Sequence, residues 1–313
     1  MKTMGCLKQF RLRRTRTVLA CALGLSLTDL ATAQEGGIEV FAAETLFATG
    51  TRVSISHIFK RKGTLLQGSD SVPNTLDLGR DEHRIVAAVD HGIRPDLTLS
   101  ALFPFVTKEL ESNAGDLSGS GFGDLALLAK YRTYKRDWPR GAFHLSTIGG
   151  VEIPTGETDE QDGGTRLAPQ LQPGLGSWNP FIGLSANLNL NRYRFDALAL
   201  YKLNTEGAQD FEKGDFVSLQ ADAAYRFYQT KYPGPSASAR LGLQWRHEGK
   251  SKQAGLTLAD SGSEELLLKG GLGWHPAPNI DISLAIDLPL YEDLEGTQLG
   301  LDYRTFLALG IRF

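Results

Sequence analysis

The chain has 313 residues, with 33 Lys+Arg, 36 Asp+Glu and a formal net charge of -3. At 41% hydrophobic and 22% charged residues, with a mean hydropathy of -0.20, it has the bulk composition of an ordinary globular chain. The acidic balance argues against nucleic acid as a partner. Beyond the N-terminus no apolar run reaches the roughly 20 residues that a membrane helix needs.

Lys2, Lys8, Arg11, Arg13, Arg14 and Arg16 precede a mostly apolar stretch from Thr17 to Leu27, and Ala31-Thr32-Ala33 offers a small-x-small cleavage site. Residues 1–33 therefore read as a Sec signal peptide, the apolar stretch being too short for an anchor. Cys21 follows Val18-Leu19-Ala20 in the manner of a lipoprotein box, but too little apolar chain separates it from Arg16. Removing residues 1–33 takes out six basic residues and one acidic residue, which moves the net charge to -8, and both cysteines, Cys6 and Cys21, go with them. Disulfide and thiol chemistry is then unavailable. Residues 34–50 read as a periplasmic N-terminal segment or a partial plug, with a mobile tail the favoured form.

From residue 51 onward apolar and polar residues alternate, as in strands whose two faces meet different surroundings. Strands are expected at 51–60, 83–93, 97–108, 124–135, 142–153, 181–190, 193–204, 216–228, 237–248, 265–275, 280–291 and 300–313. The last is the clearest: Leu301, Tyr303, Thr305, Leu307, Leu309, Ile311 and Phe313 alternate with Asp302, Arg304, Ala308, Gly310 and Arg312, and only Phe306 breaks the pattern. Short turns such as Arg94-Pro95-Asp96 and Asn191-Arg192 alternate with long polar segments such as 109–123 and 155–179. The expected fold is all-β: a transmembrane antiparallel β-barrel of about twelve strands over residues 51–313, with short periplasmic turns, long extracellular loops and both ends in the periplasm.

A soluble β-sandwich also alternates. Against it stand the charges on the face opposite the apolar one and the placement of aromatic residues. Tyr131, Phe143, Tyr193, Phe195, Tyr225, Phe227, Trp274 and Phe313 fall on apolar faces near the short-turn ends, where an interfacial girdle belongs.

Strand parity sends charges of both signs inward. The candidate lumen-lining residues are Asp124, Lys130 and Arg132 on the fourth strand, Glu152 on the fifth, and Asp196 and Lys202 on the seventh. Asp222 and Arg226 follow on the eighth, Arg240 and Arg246 on the ninth, Lys269 on the tenth, Asp281 and Asp287 on the eleventh, and Asp302 and Arg304 on the twelfth. Buried charges need partners or water, so these residues either zip neighbouring strands together or line a wet path. Twelve strands leave room for a narrow path only.

His144-Leu145-Ser146 is the one suggestive nucleophile spacing, similar to the H-x-S of outer-membrane lipid A deacylases. In those enzymes the pair faces lipid, whereas parity here turns His144 and Ser146 inward. No catalytic residue, metal or cofactor is expected: His57, His83, His91, His247 and His275 lack ligand spacing, and the glycines at 119, 121, 123, 163 and 164 precede no helix that could hold a phosphate.

The strings 123–132 (GDLALLAKYR), 150–156 (GVEIPTG), 201–204 (YKLN), 288–291 (LPLY) and 296–300 (GTQLG) resemble the phenol-degradation meta-pathway family of outer-membrane transporter-like proteins. The resemblance implies a non-catalytic channel for passive uptake of small, aromatic or hydrophobic molecules, with outer-membrane lipid and a small-molecule solute as partners. A terminal Phe313 resembles the signal read by the barrel-assembly machinery. The alternatives are an outer-membrane lipid-modifying enzyme and a closed structural or adhesive barrel.

Overall fold

The structure is a computed structural model that describes residues 41–313. The expected signal peptide, and residues 34–40 of the segment that follows it, lie outside the described residues. The wall is built from β1 (Thr51–Gly68), β2 (Gly79–Arg94), β3 (Leu97–Glu111), β4 (Leu125–Trp138), β5 (Gly141–Ile153) and β6 (Asn179–Leu190). It continues through β7 (Tyr193–Lys202), β8 (Phe216–Gln229), β9 (Ser236–Glu248), β10 (Ser263–Ala277) and β11 (Ile280–Arg312).

Each strand pairs antiparallel with its sequence neighbours. The last element doubles back at Gly296, so that residues 280–294 pair with β10 and residues 294–312 with β1. Arg312 N donates to Asn279 O at 2.8 Å, which brings the ends of the two arms together. Gly296 adopts φ 73°, a left-handed conformation that side chains disfavour. Counted by arms the wall has twelve strands, and the Arg52↔Arg312 pairing closes it. Closure pairs the long strands on both sides, as a sheet in hydrocarbon requires; between the outer halves of β3 and β4 a short strand, Leu117–Phe122, pairs with β3 alone.

Sequence alternation becomes alternation of burial. In β1, Val53 and Ile55 are 45% and 52% exposed while Ser54, Ser56 and Ile58 are buried. The same outward row recurs as Ile182 and Leu184, Leu241 and Leu243, Leu284 and Ile286, and Leu307 and Leu309. Burying one such side chain is worth roughly 1.5–3 kcal/mol, so a continuous belt of half-exposed aliphatics is stable only with hydrocarbon around it. The belt ends in aromatics at the short-turn side, where Tyr193 meets Tyr225 at 5.0 Å and Tyr134 meets Phe143 at 6.0 Å. Near the long-loop end, Arg61 reaches Asp81 and Glu111, both at 2.9 Å, and marks the upper limit of lipid contact.

The inner face departs from the expected small and charged residues in one respect. An apolar band that includes Ile58, Leu102, Ile148, Phe181, Leu200 and Phe216 lines part of the interior. Register shifts at Arg61/Lys62 and Lys62/Leu65, at Arg132/Tyr134 and at Tyr225/Tyr228 locally reset which residues face inward.

The long loops are ordered against one another. The loop between β5 and β6 carries a 3-10 turn (Pro169–Leu171), and its Leu167 and Leu171 pack with Leu78 and Leu299 from the far wall. Phe211–Glu212 pairs with Lys252–Gln253, which joins the loops after β7 and β9.

Candidate functional site in the barrel interior

The inward-facing charges form local networks rather than an even lining. Lys202 Nζ lies 3.3 Å from Glu152, whose carboxylate also accepts from Asn179 Nδ2 at 3.2 Å. Across the interior, Arg304 Nε donates to Asp287 at 2.7 Å, and Lys269 sits 3.8 Å from the same carboxylate and 3.2 Å from Gln244 Oε1. Arg246 pairs with Glu265 at 3.2 Å and lies over the Phe216 ring at 5.5 Å. Toward the periplasmic end Arg52 bridges Asp90 and Asp281, at 3.5 and 3.0 Å. Asp196 accepts from Arg194 at 2.7 Å, with Arg240 3.7 Å away. Asp222 is buried and accepts from Gln220 Nε2.

Neutralised pairs of this kind, within one strand or between strands one or two places apart, brace the wall without giving the interior one sign of charge. Most of the apolar band lies on β1 to β7, which also bury charges such as Lys60, Glu82, Lys130 and Glu152, while β8 to β11 bury Asp222, Arg246, Asp287 and Arg304. A solute inside the barrel meets both.

Three of the sequence-predicted positions lie away from the middle of the interior. Arg132 is half-buried beside the β2–β3 turn and donates to Pro95 O at 2.8 Å. Arg226 sits next to the register shift in β8, on a rim cleft shared with Arg140, Arg192 and Arg194. Asp302 lies beside the β1 shift, is half-buried and accepts from Thr64 Oγ1 at 2.9 Å. His144 and Ser146 are buried inside; Ser146 Oγ donates to Ala43 O, and His144 Nδ1 has no hydrogen-bond partner among the described residues.

Both ends of the interior are narrowed by chain that parity could not place. At the periplasmic end residues 41–46 run inside the barrel, and Phe47 is 60% exposed at its rim. Phe41, Ala42 and Ala43 are buried. Glu44 receives a two-point contact from Arg194, at 2.9 and 2.6 Å, Leu46 N donates to Thr98 Oγ1 at 2.9 Å, and Thr49 N to Gly92 O at 2.7 Å. Gly92 permits this approach, since a Cβ there would strike the Phe47 carbonyl.

At the outer end the β5–β6 loop folds over the mouth. Lys108 Nζ donates to Gln170 O at 3.1 Å and Gln172 O at 2.8 Å, and Arg80 donates to Gln170 O at 3.0 Å. Asp124 holds both ends of this loop by accepting from the backbone N–H of Gly156 at 2.9 Å and of Leu175 at 2.7 Å. Burial pushes the Asp124 carboxyl above its ordinary range, partly offset by these donors. Lys60, Glu82 and Arg84 form a further buried ionic group outside the predicted set: Glu82 precedes the expected second strand at residue 83, whereas Lys60 and Arg84 fall within expected strands and are not among the candidates. Among the described residues no three His, Cys, Asp or Glu side chains converge as a metal site would require.

Among solved structures, an outer membrane channel from Pseudomonas putida F1 superposes with a TM-score of 0.68 at 18% identity, covering 87% of this chain and 98% of that one. The β domain of a Bordetella autotransporter superposes at 0.49 with 9% identity, covering 85% and 100%. The translocator domain of a Neisseria meningitidis autotransporter gives 0.42 with 13% identity, covering 85% and 89%. No curated protein matches the sequence. The likeness to the first of these structures supports the fold. The family described as "Putative MetA-pathway of phenol degradation" matches residues 65–299, and the chain belongs to it.

Proposed function

We propose that this protein is a passive channel of the bacterial outer membrane for small aromatic or hydrophobic molecules. The observation that carries the proposal is the mixed interior: an apolar band around Ile58, Ile148 and Phe216 shares a closed, lipid-facing barrel with charge-compensated groups such as Lys269, Asp287 and Arg304. The mouth loop and the inner segment are docked by apolar contacts, hydrogen bonds and ion pairs, all of which can break and re-form. Membership of a family named for phenol degradation and the channel fold point the same way.

In this reading the inward charges steer a solute past the apolar band, and both closures move aside during passage. Export through a Sec signal at residues 1–33 and recognition of the exposed Phe313 by the barrel-assembly machinery complete the route to the membrane. Planar-bilayer conductance and liposome swelling with small solutes test the channel. Openings and solute-dependent swelling are expected; folded protein that passes neither ions nor small solutes overturns the proposal.

A further inference from the structure

We propose that the Phe41 ring occupies the place its cargo takes, and that this place selects an aromatic ring bearing a hydrogen-bond acceptor oxygen. The inference rests on the channel reading and assigns it a binding site. Phe41 is 4% exposed and belongs to the apolar cluster of the interior with Leu198, Leu200 and Phe216. Its neighbours Ala42 and Ala43 bring only methyl groups, so Phe41 supplies the one large side chain among these three residues.

The contacts that dock the segment read its main chain. Ser185 Oγ donates to the Phe41 carbonyl at 2.6 Å, Lys130 Nζ to the Ala42 carbonyl at 2.9 Å, and Ser146 Oγ to the Ala43 carbonyl at 2.5 Å. The three donors come from β6, β4 and β5, and all three side chains are buried. A buried hydroxyl that loses its acceptor carries a desolvation cost, so when the segment withdraws, Ser185 and Ser146 favour an incoming oxygen. The Phe41 residue itself, a ring with a carbonyl a few bonds away, has the chemistry the pocket would then accept.

A cavity of about 60 Å³ adjoins the ring; beside Phe41, Ser185 and Leu198 it is lined by Gln220 and by the charged Asp196, Asp222, Arg240 and Lys269. It gives a substituted ring room that phenylalanine leaves unused. Withdrawal of the ring from its cluster with Leu198, Leu200 and Phe216 frees apolar space for an aromatic guest, and the serine donors and the polar side of the cavity add a preference for oxygenated aromatics. The segment is thereby an internal competitor: cargo enters as Phe41 leaves.

The experiment uses full-length processed protein in lipid nanodiscs and fluorine NMR of two probes, 4-fluoroacetophenone and fluorobenzene. Phe41→Ala is expected to bind 4-fluoroacetophenone saturably and at least about tenfold more tightly than the wild type. Adding Ser185→Ala is expected to weaken the ketone about tenfold, the scale of one buried hydrogen bond, and to leave fluorobenzene unchanged. Equal binding by Phe41→Ala and wild type overturns the site, and equal loss of both probes on Ser185→Ala overturns the acceptor requirement. Entry of an aromatic solute through the wild-type protein is measured separately. Entry without tighter binding by Phe41→Ala leaves the channel standing and removes this inference, whereas tight binding without entry removes the channel.

Discussion

Replacing Glu44 by Gln should loosen the inner segment selectively. Glu44 and Arg194 meet through two charge-assisted hydrogen bonds, but their side chains are 35% and 26% exposed, so solvent screens much of the attraction. Hydrogen bonds to charged groups contribute about 1.5–3 kcal/mol when buried, and exposed ion pairs contribute at most about 1. A loss of about 1–1.5 kcal/mol is therefore expected for this half-exposed pair, which is roughly a tenfold rise in the undocked population. Asp196 remains to hold Arg194, at 2.7 Å, so the wall itself should be undisturbed. Single-channel recording in planar bilayers at low salt reads the change as open probability. Raising the salt toward 1 M should bring the wild type closer to the variant, because the Debye length falls to about 3 Å. Open probability that is the same in both proteins at low salt, with both shown to be folded, would refute the idea that this contact latches the segment.

Arg304→Ala strands Asp287 beside Lys269 in the interior, and removing one partner of a buried pair costs about 3–5 kcal/mol; the midpoint for unfolding from lipid should fall accordingly, while Lys135→Ala at an exposed pair should not move it. Lys108→Met removes two of the contacts on the mouth loop, so trypsin should cut the wild-type loop at Arg166 more slowly than the variant loop. Asp124 gives that loop a pH dependence. Because burial raises its carboxyl above the ordinary value of 3.8, the folded loop binds this proton more tightly than the unfolded chain. Docking therefore loses free energy as pH climbs from 3.8 through the raised value, and amide protection at Leu175 and Gly176 should decline over that window and flatten in Asp124→Asn; protection that rises instead would contradict the assignment. Leu243→Arg places a charge in the outward belt and should cost about 2–4 kcal/mol if it lies near the bilayer midplane, measurable as reduced folding into vesicles.

The wall was legible because a strand with lipid on one side and the interior on the other must alternate with period two, and each of the twelve expected segments became a strand or an arm. Short turns such as Asn191-Arg192 were equally readable, since Asn191 takes a φ of 57° that asparagine tolerates. Long-range ordering was not. Nothing local marks Lys108 as a holder of loop carbonyls 62 and 64 residues away, or Phe41 as a residue inserted against β6. Parity also fails at a bulge, which is why Arg226 and Asp302 stand apart from the central networks. The inner apolar band escaped for a different reason: Ile85 and Val86 adjoin, one facing out at 44% exposure and the other in at 2%, and two neighbouring aliphatics look alike in sequence.

The central claim is that oxygenated aromatic or hydrophobic solutes cross the outer membrane through this interior down their own gradient. De-energised cells with and without the protein, given a labelled aromatic solute, test it most directly. Initial entry should be faster with the protein, linear in the gradient and indifferent to energy poisons. Identical entry rates in the two strains, with the barrel shown to be folded in the outer membrane, would contradict it.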